Sequence, residues 1–248
     1  MSVSFSLVSF DNQRIKLDNS YRAIKFMGDK IMTDGNKKLA IQHHLMAIVG
    51  GFAGAYSIYI RGGLFANAQT VNLISLVYSI IGKDITDASL RLLALIIYLS
   101  AYALFVIIRD LTKLNEKNMA IIFDIIAILT VSFIPLSVPG IISLFPLFFA
   151  LPFQWCAFSG SYGYVSSTIF STNNTKQSVV AFCEYAIHKD KDKLRRGFFF
   201  LGSLLCFYFG VAMLILVSDI FIEKSLLLIL PILGFVYLLE HSFTIRNN

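Results

Sequence analysis

Two short stretches carry most of the side chains that could do chemistry. "GGLFANAQTVNLISL", Gly62 to Leu76, places Asn67, Gln69, Thr70 and Asn72 within six positions. "STNNTKQS", Ser171 to Ser178, is eight polar residues in a row and includes Asn173, Asn174, Thr175 and Gln177. Amides and hydroxyls both donate and accept hydrogen bonds without titrating near neutral pH. They suit binding and release of a small polar solute, neutral or zwitterionic, and not proton transfer. Gln154 beside Trp155 reads either as an interfacial anchor or as a third polar group lining the same cavity. Asp124, inside "NMAIIFDIIAILTVSF", is the candidate for proton or cation coupling, because an ionisable residue within an apolar span is a functional hypothesis by default. The plainer reading places it near the membrane surface.

Catalytic patterns are missing. The sequence has no GxSxG, no HExxH, no Walker motif and no carboxylate pair near a histidine, so no enzyme is expected. Cys156, Cys183 and Cys206 form neither a CxxC nor a Cys/His cluster. They read as small core residues, with no metal and no cofactor expected. His43 and His44 read as headgroup-level residues. Glu184 is placed to pair with His188 one turn on, or better with the adjoining basic loop.

The elements that must position these groups are helices in lipid. The chain of 248 residues is 56% hydrophobic and 15% charged, against about 25% charged in a soluble domain. Its mean hydropathy is +0.72. Apolar segments at 40–60, 64–82, 89–108, 118–136, 138–158, 164–187, 197–218 and 225–240 point to an all-α polytopic membrane protein. The net charge of +6 follows from basic cytoplasmic segments and does not call for nucleic acid. The start, "MSVSFSLVSFDNQRIKLDNSYRAIK", lacks the pattern of a signal peptide, so the first span is expected to be an uncleaved anchor. Residues 1–38 form a basic arm, expected on the cytoplasmic side of a bacterial inner or plasma membrane. Eight crossings are expected if every segment spans. That count puts the basic "RDLTKLNEKN" outside, and the alternative makes 64–82 and 164–187 re-entrant with six crossings.

A shift of 105 positions lays Phe65 on Phe170, Thr70 on Thr175, Asn72 on Gln177 and Arg91 on Arg196. The chain thus reads as two membrane repeats, 39–136 and 137–248, each of about four helical segments with a polar-interrupted second one. Four-crossing halves would be parallel and three-crossing halves inverted; both designs occur in transporters. The "IPLSVPG" segment, Ile134 to Gly140, is the natural hinge between them. On a helix turning about 100° per residue, Asn67, Gln69, Thr70 and Asn72 fall at about 0°, 200°, 300° and 140°. They ring the axis, so the helix is either fully enclosed or broken. Interhelical hydrogen bonding is the bland alternative for the first stretch, and a solvated loop for the second.

"GGFAGAYSIYIRGGLFANAQTVNLI" resembles the first-half signature of the YoaK family of uncharacterised bacterial multi-pass membrane proteins. Gly51, Gly62, Gly63, Phe65, Thr70 and Asn72 stand where that signature wants them, and Gln154 with Thr168–Thr175 is similar to its second half. Two positions depart: Gly54 stands in place of an Asp, and Val71 in place of the Gly of Thr-Gly-Asn. The resemblance implies a transport-type role with an altered ligand. The expected function is a small secondary transporter or permease acting through a midplane cavity. The alternative is a non-transporting scaffold, lipid-binding or assembly factor that uses the basic arm. The expected partners are the bilayer and one small solute, with self-association left open.

Overall fold

A computed structural model describes residues 34–244. Most of the expected basic arm therefore lies outside the described residues. The chain divides into two units, 1–39 and 40–248. In the first, residues 34–39 are helical. The second is a helical bundle.

Its first helix, α1, covers 40–59. There follow α2 (Thr70–Ile81), α3 (Ile85–Leu111), α4 (Glu116–Phe133), the single turn α5 (Gly140–Ser143) and α6 (Phe145–Ala157). A small hairpin, β1 (Gly160–Ser161) with β2 (Tyr164–Val165), leads to α7 (Thr172–His188) and α8 (Lys191–Phe221). A 3-10 segment, Ile222–Ile229, joins α8 to α9 (Leu230–Thr244). Met46, Phe52, Tyr56, Phe148, Phe153 and Ile128 are fully buried between α1, α4 and α6.

Hydrogen bonds fix which helix ends lie together. His43 Nδ1 meets the Phe158 carbonyl at 2.7 Å, His44 Nε2 the Phe199 carbonyl at 3.1 Å, and Lys117 donates to Gln42 Oε1 at 3.2 Å. Lys117 also pairs with Glu240 at 3.8 Å. The starts of α1, α4 and α8 therefore share one end with the finishes of α6 and α9. At the other end Arg61 donates to the carbonyls of Val131 and Ile134, both at 2.7 Å, and Tyr56 donates to the Glu223 carbonyl at 2.9 Å. Helices α1, α4 and α8 run one way, and α3, α6 and α9 the other.

Helices α2 and α7 do neither. The chain leaves α1 at the Arg61 end and doubles back until Asn67 lies beside Tyr98, midway along α3. From there α2 returns to the end it came from. Likewise 166–171 dips from the opposite end, and α7 returns to that end at the start of α8. Helix α2 has 12 residues, short of the roughly 20 needed to cross a hydrocarbon core. The expected continuous segments 64–82 and 164–187 are thus each a turn plus a partial helix. The polar residues explain this: Asn67 and Ser167 spend their hydrogen bonds on backbone of the turn or its neighbours instead of on a helical ladder.

The two helix-to-helix turns match. Lys83 (φ 62) and Lys189 (φ 56) are both left-handed. Each precedes an aspartate that caps the next helix, Asp84 accepting from Asp87 N and Asp190 from Asp192 N. The basic turns at Arg109–Lys117 and Lys189–Arg196 lie at the same end of the bundle. A count of eight crossings would have separated them.

Among the described residues, two stretches are long and apolar enough to cross a membrane, Ile85–Leu111 and Lys191–Ser242. Only 28% and 33% of their apolar windows are buried, so most of that surface faces outward, unlike a soluble core helix. The second comprises two helices, α8 and α9, and reverses direction after Ile222, whose φ is 44. Helix α4 is comparably apolar but carries Glu116, Lys117 and Asp124 within its 18 residues.

Candidate functional site

The two broken segments meet on the glycine face of α1. A Cβ at Gly50 would lie 2.1 Å from the Thr168 carbonyl oxygen, one at Gly51 1.9 Å from that of Phe207, and one at Gly54 2.7 Å from Asn67 Nδ2. Only glycine lets the second turn, α8 and the Asn67 amide approach this closely. Gly54 stands where the resembled signature has aspartate; here the Asn67 side chain fills that space.

Asn67, fully buried, donates from Nδ2 to Gly50 O at 2.8 Å and also to Ile169 O. Its own carbonyl accepts from Tyr98 OH at 3.1 Å. One helical turn earlier on α1, the Met46 carbonyl accepts from Gln154 Nε2 at 3.0 Å, and Gln154 Nε2 also reaches Thr168 Oγ1 at 3.0 Å. Both amides thus hold the Thr168–Ile169 turn against α1. Asn174 fastens the same turn from below, donating to Ser167 O at 2.7 Å and accepting from Ser167 N at 3.2 Å. Ser166 Oγ lies 2.9 Å from both Asn174 Oδ1 and His43 Nε2. His43 Nδ1 faces a carbonyl, so that nitrogen carries hydrogen. His43 is wholly buried, its ring stacked on Phe199 with centroids 5.3 Å apart.

The remaining expected residues fall elsewhere. Asn72 is buried on α2 and leans on Ala68 O and Gln69 Oε1 at 3.5 and 3.4 Å. Gln69 is half-buried and Thr70 exposed. Asn173 and Thr175 flank the buried Asn174 and are exposed, since neighbours on a helix diverge by about 100°. Gln177 is half-buried, bonds Arg196 and borders a surface pocket with Tyr164 and Lys193. Val71 sits in the first turn of α2, 56% exposed. The left-handed residues of this segment are Gly62 and Gly63, so nothing at Val71 needs glycine.

Asp124 lies on the buried stripe of α4 with Ala120, Ile121, Ala127, Ile128 and Val131. It is 1% exposed, and neither carboxylate oxygen has a partner in the protein. Glu184, near the end of α7, pairs with Lys193 at 2.9 Å, and that bond holds its carboxyl below the usual range. Cys156 and Cys206 are half-buried, but Cys183 is exposed, contrary to a core role for all three.

Sequence reasoning missed Arg61, Tyr98, Ser166, Ser167 and the role of Gly50. Ser166-Ser167-Thr168, three hydroxyl residues just before an apolar pair, was the available signal for the second turn. Arg61 lies just past α1, immediately before Gly62-Gly63, which marks a capping position at a chain reversal.

The fold and site define an all-helical protein in which two interrupted segments converge on one glycine-rich helix. A model of the family described as "Protein of unknown function (DUF1275)" matches residues 42–239, and the chain belongs to that family. No curated protein and no solved structure matches it.

Proposed function

We propose that this chain is a small secondary transporter or permease of the bacterial inner or plasma membrane. Six segments cross in this reading: α1, α3 and α4 in one half, and α5 continued by α6, then α8, then the 3-10 segment continued by α9 in the other. Three crossings per half invert the second half relative to the first. The shift of 105 positions carries each of the first three helices onto its counterpart. The matched turns at Lys83–Asp84 and Lys189–Asp190 support the same repeat, and so does the resemblance to the YoaK family. With both basic turns on one side, the positive-inside rule makes that side, and the N-terminus, cytoplasmic.

The observation that carries the proposal is the Asn67 amide, which ties the first re-entrant turn to the carbonyl of Ile169 in the second. Irregular backbone at membrane depth is tolerated where it is enclosed by protein or lines a path. Transporters place solute sites where such broken segments of two repeats meet. The close packing at Gly50 and Gly54 corresponds to an occluded state, and one half rocking on the other would open it.

The test is uptake into liposomes containing the purified protein, over a broad panel of small polar metabolites. The wild-type protein is expected to accumulate at least one, and Asn67→Ala to lose it while remaining monodisperse. A panel that yields neither uptake nor any thermal shift overturns the reading. The scaffold alternative rests on the arm 1–38, and deleting that arm would then matter more than changing Asn67.

A further inference from the structure

Among the described residues, five that are at most 2% exposed leave side-chain oxygens with no partner in the protein. Four carry amides or a carboxylate, at Asn67 Oδ1, Asn72 Oδ1, Gln154 Oε1 and both oxygens of Asp124; the fifth is the Ser132 hydroxyl on α4. The amide orientations are set by chemistry. The partners of Asn67 Nδ2 are two backbone carbonyls, and Gln154 faces the Met46 carbonyl; a carbonyl only accepts, so each NH2 group must point at it. The lone pairs are what remains. Among the described residues the one side-chain nitrogen left in this way is Gln69 Nε2, on a half-buried residue.

Two of these amides act on one turn of α1, and the carboxylate stands at their depth. Asn67 and Gln154 hold α1 at Gly50 and Met46, one turn apart, and both hold the Thr168–Ile169 turn. Asp124 follows Phe123, whose ring lies 5.0 Å from Phe153 and 5.2 Å from Phe149. Gln154 follows Phe153, so Asp124 and Gln154 stand at one depth on two packed helices. A buried acceptor without a donor is costly, and a buried carboxylate without one far more so. Each is relieved by a ligand that brings positive charge and no lone pairs of its own.

We infer that the centre binds a compact monovalent cation, an alkali metal ion or a primary ammonium, through Asn67 Oδ1 and Gln154 Oε1, with Asp124 supplying the balancing charge. The inference rests on the reading of this centre as a solute site and narrows its chemistry. The neutral or zwitterionic solute expected from amide chemistry alone would need donors as well, and the amide NH2 groups are already committed to backbone.

Trp155 is the single tryptophan of the chain and adjoins Gln154, so its emission reports on the centre. The protein in lipid nanodiscs would be titrated with sodium, methylammonium, tetramethylammonium and acetate, following Trp155 fluorescence and the melting temperature. Sodium or methylammonium is expected to give a saturable change in both. Tetramethylammonium, which has equal charge but no N–H group and more bulk, and acetate are expected to give none. Gln154→Met and Asp124→Asn should each weaken that binding by about tenfold or more, the loss typical of a hydrogen bond to a charged group. Asp124→Asn removes a buried charge and keeps the shape, so it serves if the Gln154 variant fails to fold. Saturable acetate binding overturns the inference, as do equal responses to the two ammonium ions or unchanged affinity in both variants. If all four probes fail while the metabolite panel still yields an uptake substrate, the inference falls and the transport reading stands. If the panel fails too, both fall.

Discussion

Asn67 and Ile169 are 102 positions apart, yet the side-chain amide of the first donates to the main-chain carbonyl of the second. Each belongs to a segment that turns back before reaching the far end of the bundle. The contact needs both reversals, and it needs Gly50 and Gly54 on α1 to leave room for it.

That need is testable at single glycines. Gly50→Ala and Gly51→Ala each drive a methyl group into a carbonyl oxygen on a neighbouring segment. Both should lose about 1–3 kcal/mol or more, as overpacked sites do. At Gly234, on α9, an added Cβ would meet nothing within 4 Å. Gly234→Ala should be neutral or gain about 0.5–1 kcal/mol from helix propensity. Thermal unfolding in one detergent compares the three, and equal midpoints for Gly50→Ala and Gly234→Ala would refute the close-approach argument.

Arg61 makes a second demand. It is 3% exposed, and its guanidinium reaches Tyr56 OH at 3.2 Å besides three carbonyls at the end of α4. The helix end carries partial negative charge, which favours a cation there. A lysine is a point charge and cannot span these acceptors. Arg61→Lys should therefore cost nearly as much as Arg61→Met, on the order of 2–4 kcal/mol. Full stability in the lysine variant would show that charge alone suffices.

Topology can be read by cysteine labelling in a background lacking the three native cysteines. With six crossings, Thr112→Cys and Lys189→Cys label from the same side of the membrane, and Lys83→Cys from the other. Labelling of residues 112 and 189 from opposite sides would restore eight crossings.

The α7–α8 turn should respond to acid. The Lys193 hydrogen bond, and after it the nearby charges of Lys193, Arg196 and His188, lower the Glu184 carboxyl from its ordinary value of 4.5. A depressed carboxylate stabilises the turn above that ordinary value and loses its effect as pH falls through the folded value. Amide exchange over Tyr185–Lys193, corrected for intrinsic rates, should show less protection as pH drops below about 4.5. Glu184→Gln should flatten that dependence. An unchanged slope in the variant would assign it to another group.

The helices themselves were legible because apolar runs in a charge-poor chain leave few alternatives. The eight expected segments each overlap one observed helix or helix pair. Boundaries at 64–82 and 164–187 were less legible, because a polar residue does not announce whether it will extend a helix or bond the backbone of a turn. The helical phase of α7 was hidden for a related reason. Asn173, Asn174 and Thr175 are chemically alike, and only the bonds of Asn174 to Ser166 and Ser167 decide which one faces inward. The wheel did show that Asn67 and Asn72 could not share a lipid-facing side. It could not show that the space at Gly54 belongs to Asn67, since that contact depends on the path of 60–69.

Helix α1 meets its neighbours at Gly50, Gly51 and Gly54 through bare main chain, on sides that face the second turn, α8 and Asn67 in succession. Interlocked side chains would have to change rotamers one by one before such surfaces could slide. Bare surfaces need not, so at these three glycines α1 has the properties of a bearing: close contact and little friction, with the Asn67 and Gln154 hydrogen bonds as detents.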